Sequence, residues 1–247
     1  MSTEETSINA AVSAYWDKRS QGYALQVDAQ EENCDFQAYR VHLQGLSVGA
    51  KVLDVGCGPG FFATELAKEG ACVTAVDMSQ GMLEQTERRA KAKGVTIELA
   101  LTDAQALPFA DATFDLVCCR DLVWNLPDPK RAYQEWLRVL KPAGKLVIFD
   151  GNYYRYLFDE RYARVHEAWE KTSGHVLLGV KTDEIDAIAE TLPLGKVDRP
   201  TWDEKTLKSL GVQNVCTQTL STYEDASLKQ ALIAKFVVIA QKNPVIL

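Results

Sequence analysis

The sequence predicts an α/β protein built on a doubly wound, mostly parallel β-sheet, and three observations support this fold class. Between residues 51 and 149, short apolar runs alternate with longer amphipathic stretches, which is the pattern of repeated βαβ units. A glycine cluster lies directly between the first apolar run and the first amphipathic stretch. The 247 residues are 47% hydrophobic and 25% charged, which is typical of a folded chain with one large core.

Five strands and three connecting helices can be placed along this alternating region. The strands are predicted at residues 51–55, 71–76, 95–101, 114–119 and 145–149. The first helix follows the glycine cluster at Phe61, and the second has Ser79 as its N-cap and ends at Gly94. The third helix begins at Asp128 and Pro129, an N-cap residue followed by a proline in the first turn.

Two helical segments lie outside the alternation, and we interpret both as additions to a single domain of residues 1–247. The expected parts are a helical cap at 1–46, the glycine-cluster half at 47–150, a helical insertion at 151–200 and a C-terminal part at 201–247. The insertion carries an apolar stripe of helical spacing from Tyr154 onward. In the C-terminal part a helix begins at Thr201, with Glu204 at capping-box spacing, and strands follow at 212–220 and 233–240.

Composition and charge exclude several classes of function. The chain has 27 basic and 34 acidic residues, a net charge of −7, and no basic cluster, which disfavours a nucleic-acid partner. The longest apolar runs, 146–149 and 236–240, are too short to span a membrane, and no signal peptide is visible, so we expect a cytoplasmic protein. Six cysteines without a C-x-x-C pair indicate reduced thiols, and three histidines without metal-ligand spacing indicate no metal site. We expect a monomer or a homodimer.

The glycine cluster, Asp54-Val-Gly56-Cys-Gly58-Pro-Gly60, has the order strand, loop, helix that a nucleotide-binding loop requires. The dinucleotide fingerprint places its third glycine three residues after the second, where this chain has Phe61, so the spacing argues against a nucleotide-dependent oxidoreductase. No Gly-Lys-Ser/Thr follows, which excludes the phosphate loop of ATPases. A purely structural turn is the alternative. The acidic Asp54 suits a ligand with a cationic group.

Asp77 is the second candidate binding residue. It follows the second strand, about 20 residues beyond the glycine cluster, where a carboxylate can accept hydrogen bonds from ribose hydroxyls. The alternative role is to cap the helix that begins at Ser79.

The order of motifs resembles that of the class I S-adenosylmethionine-dependent methyltransferases, most closely the branch that contains the quinone-biosynthesis enzymes (methyltransferase type 11). The Asp54-x-Gly56-x-Gly58-x-Gly60 run resembles their motif I, and segments at 77–78, 103–104, 114–128 and 138–144 follow in family order. The resemblance covers residues 48–150. It implies a Rossmann-like sheet of seven strands with the last antiparallel, and S-adenosyl-L-methionine as the cofactor.

The resemblance also implies which residues hold the cofactor. Asp77 is expected at the ribose, Met78 beside the adenine, and Asp103 with Ala104 near the adenine amino group. The basic residue of the N-terminal cap, Arg19, is expected near the methionine carboxylate. The full set of expected cofactor-binding residues is Tyr15, Arg19, Tyr23, Asp54, Gly56, Gly58, Gly60, Asp77, Met78, Met82, Asp103, Ala104, Arg120 and Asp121.

The acceptor end is expected to come from the loops after the fourth and fifth strands and from the insertion. Candidate substrate-binding residues are Trp124, Asn125, Asn152, Tyr153 and Tyr154, and candidate bases are His166 and Asp121. The aromatic stripe can equally be packing. We predict methyl transfer to a small-molecule acceptor by in-line displacement. An RNA or protein methyltransferase and a non-catalytic S-adenosylmethionine-binding protein remain the alternatives, and the sequence leaves the methylated atom open.

Overall fold

The computed structural model describes residues 3–33, 36–170, 176–223 and 231–244, and its centre is one seven-stranded sheet. The strands are β1 (Lys51–Val55), β2 (Cys72–Asp77), β3 (Glu98–Leu101), β4 (Phe114–Arg120), β5 (Leu140–Gly151), β6 (Asn214–Tyr223) and β7 (Leu232–Gln241). Their spatial order is β3-β2-β1-β4-β5-β7-β6. β1 to β5 run parallel, and β7 is antiparallel to both of its neighbours. The predicted Rossmann-like, mostly parallel sheet with an antiparallel last strand is confirmed.

Helices cover both faces of the sheet. They are α1 (Thr3–Asn33), α2 (Gln37–Leu43), α3 (Phe61–Lys68), α4 (Gln80–Lys93), α5 (Pro129–Val139), α6 (Glu160–Glu170), α7 (Asp183–Thr191) and α8 (Thr201–Ser209). One apolar cluster joins the sheet to α1–α4 and contains Cys118, and a second joins it to α5 and α8 and contains Cys119. Cys118 and Cys119 are neighbours in β4, so their side chains point to opposite faces of the sheet and enter different apolar clusters. None of the helices among these residues is long and apolar enough to cross a membrane.

Side-chain N-caps set the starts of α4 and α5. Ser79 Oγ accepts a hydrogen bond from Met82 N at 3.1 Å, and Asp128 Oδ1 accepts one from Arg131 N at 3.0 Å, so both predicted N-caps are confirmed. The predicted capping box at Thr201 is wrong, because Thr201 lies inside α8 and the N-cap is Pro200, which has no side-chain cap.

Several predicted boundaries differ from the structure, and three of them are informative. β3 begins at Glu98 instead of residue 95, because Val95 N still donates to Ala90 O in the C-terminal turn of α4. β5 begins five residues early, at Leu140, which pairs with Phe114 across an irregularity. The apolar stripe that begins at residue 154 is divided between a short 3-10 turn at Arg155–Leu157 and α6.

Candidate functional site

The loop after β1 brings its backbone close to open space. Gly56 and Gly58 have φ values of +62° and +54°, a conformation that glycine adopts without strain. A Cβ on Gly56 would lie 2.6 Å from the Leu122 side chain, whereas a Cβ on Gly58 would meet only the Tyr23 ring, at 3.6 Å. The third glycine, Gly60, is the N-cap of α3. Gly58 is therefore the position where a ligand can approach the loop backbone.

A cavity lies above this loop at the carboxyl ends of β1, β2 and β4, and we call it the glycine-loop cavity. Its walls come from the loop, from the ends of these strands and from α1. They include Val12, Trp16, Tyr23, Gly56, Gly58, Asp77, Met78, Met82, Thr102, Ala104, Arg120, Asp121, Leu122 and Asn125. With α1 in its present position, about 70 Å³ of this cavity is free.

Asp77 ties the glycine loop to α4. Its Oδ2 accepts a hydrogen bond from Gly58 N and its Oδ1 accepts one from Ser79 N, each at 2.9 Å. Burial raises the pKa of Asp77 from 3.8 to about 6, although the three backbone hydrogen bonds that it accepts oppose this shift. Asp77 thus binds the backbone of the N-cap residue of α4, whereas the side-chain cap is Ser79 Oγ. The ribose contact stays a prediction for a carboxylate that lines the cavity.

Asp54 lies behind the loop and does not form part of the cavity wall. It is 2% exposed, and its Oδ2 has no hydrogen-bond partner among the described residues. Burial raises its pKa from 3.8 to about 7, against the effect of a backbone hydrogen bond from Ala63 and of the Arg120 charge. Asp54 can therefore act on a cavity ligand through its charge but has no direct contact there.

A second, larger cavity lies between α1 and the insertion after β5, and we call it the aromatic cavity. It has a volume of about 390 Å³. Its walls include Tyr15, Trp16, Arg19, Tyr23, Gln26, Gln30, Asp121, Trp124, Tyr153, Tyr154, Tyr156, His166, Ile185, Asp186, Tyr223 and Lys235. Trp16, Tyr23 and Asp121 line both cavities and so form the junction between them.

Asp121 is fixed at this junction from several directions. Its φ is +56°, a left-handed conformation that is uncommon for a residue other than glycine. Its backbone N donates to Phe149 O at 2.9 Å, and its carbonyl accepts from Trp124 Nε1 at 2.9 Å. Its Oδ1 accepts a hydrogen bond from the Tyr153 hydroxyl, and Arg120 Nε lies 4.0 Å from its Oδ2. The surrounding contacts thus hold a carboxylate in a strained backbone position, as is common at functional sites.

The structure divides the predicted cofactor-binding residues into three groups. Tyr23, Gly56, Gly58, Asp77, Met78, Met82, Ala104, Arg120 and Asp121 line the glycine-loop cavity. Tyr15 and Arg19 line the aromatic cavity instead, and Arg19 Nη1 donates to Val176 O at 2.5 Å. Asp54, Gly60 and Asp103 line neither cavity. Asp103 accepts hydrogen bonds from Asn9 Nδ2 at 2.9 Å and Gln105 N at 2.8 Å, and holds the loop that carries Ala104.

The predicted substrate-binding residues and the candidate base His166 also do not all lie in one cavity. Trp124, Tyr153, Tyr154 and His166 line the aromatic cavity, where the imidazole of His166 stacks on the Tyr156 ring at 3.5 Å. Asn125 lies instead in the glycine-loop cavity, and its buried Oδ1 has no partner among the described residues. Asn152 is outside both cavities, because its Nδ2 donates to Arg199 O at 3.2 Å and to Ile233 O at 3.0 Å.

The sequence prediction omitted several residues of the aromatic cavity. Trp16, Gln26 and Gln30 are omitted, although together with the predicted Tyr23 they recur at seven- and three- or four-residue intervals on one face of α1, which was the available signal. Asp186 and Lys235 carry no local signal, since only the packing of the insertion and of β7 brings them to the cavity.

Comparisons with known proteins agree with the sheet and the loop. Residues 53–148 match a family model described as a methyltransferase domain. A ubiquinone biosynthesis O-methyltransferase of Coxiella burnetii is 36% identical over 112 residues, 44% of this chain and 48% of that protein. An uncharacterised protein of Mycobacterium tuberculosis is 36% identical over 126 residues, 51% of this chain and 45% of that protein. The chain thus spans about half the length of the curated relatives it matches.

Solved structures show the same fold. A SAM-dependent methyltransferase from Aquifex aeolicus superposes with a TM-score of 0.54 at 22% identity, covering 83% of this chain and 88% of that one. Haemonchus contortus phosphoethanolamine N-methyltransferase 2, solved with S-adenosylhomocysteine, gives 0.60 at 20% identity over 85% of this chain and 52% of that one. At these identities the likeness concerns the fold alone.

Residues 53–148 therefore make up a methyltransferase domain, and the sheet order and the glycine loop agree with the class I S-adenosylmethionine-dependent enzymes. The cofactor of this class is S-adenosyl-L-methionine, and the residues of the glycine-loop cavity fit it. Gly58 leaves the loop backbone accessible, Asp77 offers a carboxylate, and Met78 and Met82 offer an apolar surface. The unpartnered Oδ1 of Asn125 offers a further acceptor. These residues would hold the nucleoside part of the cofactor.

Proposed function

We propose that this protein transfers a methyl group from S-adenosyl-L-methionine to a small-molecule acceptor in the aromatic cavity, with Asp121 as proton acceptor. One observation carries the proposal: the cavity that fits the cofactor and the aromatic cavity share a junction formed by Trp16, Tyr23 and Asp121. In this proposal the helical cap and the insertion, 1–46 and 151–200, serve the acceptor within a single domain.

Methyl transfer requires little of the protein beyond the correct placement of the acceptor. When bound, S-adenosyl-L-methionine supplies a methyl group already activated by its sulfonium sulfur. The protein holds the acceptor in line with this methyl group and excludes water, and such orientation is worth about 7–11 kcal/mol in well-aligned cases. Asp121 removes the acceptor's proton. Tyr153 positions Asp121 by donating a hydrogen bond to Oδ1, which leaves Oδ2 for that proton.

Size and charge support a small acceptor. A volume of about 390 Å³ lies within the roughly 300–1,000 Å³ of ordinary small-molecule sites. The curated relative from Coxiella burnetii is named for an O-methylation in ubiquinone biosynthesis, which concerns a small molecule. The net charge of −7 disfavours RNA as the acceptor.

The proposal is tested by incubating the purified protein with methyl-labelled S-adenosyl-L-methionine and a set of small phenols, amines and thiols. We expect label in the small-molecule fraction and S-adenosylhomocysteine as the second product. Asp121→Asn should lower the rate about 100-fold or more, since a positioned base contributes about 10²–10⁴-fold. The control Asp111→Asn changes an exposed carboxylate that pairs with Arg138 and lines neither cavity. Label found only in added RNA or protein, or an Asp121→Asn rate equal to that of the control, would contradict the proposal.

A further inference from the structure

The last strand of the sheet, β6, has an unpaired edge. It stands at one end of the strand order, and among the described residues β7 is the only strand that pairs with it. The register against β7 is regular over residues 214–219, and irregularities follow between Thr219 and Thr222. An unpaired strand edge presents N–H and C=O groups to which another strand can bond.

Hydrogen bonds at both ends of β7 show which of its residues face β5. Lys242 N donates to Gly144 O, and Lys242 O accepts from Ala143 N, each at 3.0 Å. At the other end, Ala234 O accepts from Asn152 N at 3.0 Å. Even-numbered residues of β7 thus direct their backbone groups to β5. Because this direction alternates along a strand, the odd-numbered residues direct theirs to β6.

The register with β7 then gives the directions on β6. Residues 214, 216 and 218 lie opposite odd-numbered residues of β7 and bond to them. The N–H and C=O groups of Val215, Thr217 and Thr219 therefore point away from the sheet. These three residues form the part of the edge that can pair in a regular register.

The composition of β6 favours a second copy of this chain as the partner. A lysine or a proline usually protects an exposed edge, but residues 214–223 contain no charged residue and no proline, and most of them are exposed. In two identical strands related by a two-fold axis, a charge near the axis meets its own copy, which destabilises the pair. In a chain with a net charge of −7, an uncharged strand is a place where two copies can approach.

The outward groups also select the position of the axis. If Thr217 lies opposite its own copy, Val215 lies opposite Thr219 of the second copy, and all three residues use both backbone groups. An axis one residue earlier would place Thr219 opposite Gln213, whose N already donates to Asn243 Oδ1 at 3.3 Å. An axis one residue later would pair Val215 with a residue beyond the irregularity.

We infer that β6 pairs antiparallel with β6 of a second copy of this chain, about a two-fold axis at Thr217, and so forms a homodimer with one continuous sheet. The two Thr217 residues exchange both of their backbone hydrogen bonds, and Val215 and Thr219 do the same across the axis. The irregularity after Thr219 ends the regular pairing. The glycine-loop cavity lies at the ends of β1, β2 and β4, so the dimer forms without the cofactor.

Sedimentation equilibrium of the full chain without cofactor, from low micromolar to submillimolar concentration, tests the dimer. The variant Thr217→Pro removes the outward N–H at the axis. Proline is tolerated on an edge strand where the N–H faces solvent, so the single chain should still fold. The matched control Thr217→Val keeps the N–H and a β-branched side chain. Circular dichroism of each variant checks its fold.

The wild type and Thr217→Val are expected to dimerise with similar dissociation constants. Thr217→Pro should raise the dissociation constant about tenfold or more, because both hydrogen bonds between the two Thr217 residues lose their donor. A wild type that stays monomeric over the whole range, or a Thr217→Pro variant that dimerises as tightly as Thr217→Val, would overturn the inference.

A disulfide tests the register independently and decides the matter if Thr217→Pro does not fold. The axis at Thr217 places Cys216, which is exposed, opposite Gln218 of the second copy. This pair does not bond across the axis, so its Cα atoms should be about 4.5 Å apart, within the range of a disulfide. Under mild oxidation Gln218→Cys should give a covalent dimer on a non-reducing gel. The control, Gln218→Cys combined with Cys216→Ser, should give no more than the wild type, and equal amounts from the two variants would overturn the inference.

Discussion

At the scale of single residues, burial raises the pKa of three carboxyl groups in and around the site. Burial raises the pKa of Asp54 to about 7 and those of Asp77 and Asp150 to about 6, from 3.8 in each case. In Asp54, Oδ2 has no partner among the described residues, and one backbone hydrogen bond and the Arg120 charge oppose the effect of burial on its pKa. A cationic ligand near the glycine loop would favour ionisation of this group.

Asp54→Asn should therefore change how stability depends on pH. The folded state keeps the Asp54 proton up to about pH 7, whereas the unfolded chain loses it near 3.8. The stabilisation from this proton is complete below the unfolded pKa and is lost as the pH rises through the folded pKa. Between pH 4 and 7 the wild-type free energy of unfolding should fall, relative to Asp54→Asn, by about 1.4 kcal/mol per pH unit. Urea unfolding across this range checks the slope, and parallel curves for the two proteins would contradict it.

Single residues also show what the sequence could and could not predict about the site. The positions of Asp77 and Gly58 in the cavity wall were predictable because they depend on a contiguous motif and on the end of the next strand. Asn125 could be placed only in a loop facing the site, since nothing local indicates which of two cavities it enters. Lys235 was not predictable, because β7 reaches the aromatic cavity only through the pairing order of the sheet.

At the scale of elements, α1 covers the glycine-loop cavity. Trp16 and Tyr23 project from it over the loop, and only about 70 Å³ remains free beneath them. Small-molecule sites usually provide about 300 Å³ or more. We expect α1 to move outward when a cofactor binds. It is held by Asp17, whose Oδ1 accepts hydrogen bonds from Ser79 Oγ at 2.5 Å and Gly81 N at 2.9 Å.

Asp17→Ala should loosen α1 and accelerate the release of S-adenosylhomocysteine. Losing two hydrogen bonds to a charged group is expected to raise the dissociation rate about tenfold. The neighbouring Lys18→Ala is the control, because Lys18 pairs with Glu184 in solvent, where the side chains are 56% and 44% exposed. Stopped-flow displacement measures both rates. Equal release rates in the two variants would show that α1 docking does not limit access.

Elements outside the core were predicted less well than the sheet, for physical reasons. Four of the five parallel strands, β1, β2, β4 and β5, follow from apolar runs that are mostly buried on both faces. The stripe from residue 154 has helical spacing, but Asp159 Oδ1 accepts a hydrogen bond from Arg161 N, which fits a helix start near residue 160. β3 does not begin at Val95 as predicted, because the Val95 amide donates its hydrogen bond to Ala90 O in α4. Periodicity thus located the elements, and competing local hydrogen bonds decided their ends.

At the scale of the whole molecule, a buried ionic cluster joins the insertion to both sides of the domain. Arg199 Nη1 lies 2.9 Å from Asp150 Oδ2 at the end of β5, and Arg199 Nη2 lies 2.7 Å from Asp203 Oδ1 in α8. Asp203 also accepts a hydrogen bond from the Tyr133 hydroxyl of α5. Asp150 in turn accepts from Trp124 N at 3.1 Å, so the cluster also fixes a wall of the aromatic cavity.

Arg199→Met should destabilise the entire domain. It leaves two carboxylates buried without their cation, and breaking such a pair costs about 3–5 kcal/mol. The control Lys208→Ala removes a solvent-exposed pair with Glu204 and should cost less than about 1 kcal/mol. Denaturant unfolding measures both free energies, and a loss in Arg199→Met no larger than in Lys208→Ala would show that the cluster contributes nothing.

The central claim is that one chain holds S-adenosyl-L-methionine above its glycine loop beside an acceptor cavity. The most direct measurement is calorimetric titration of the purified protein with S-adenosylhomocysteine. The account predicts saturable binding of one ligand per chain, with a rise in thermal stability that grows with ligand concentration. No binding heat and no stabilisation at millimolar ligand would contradict it.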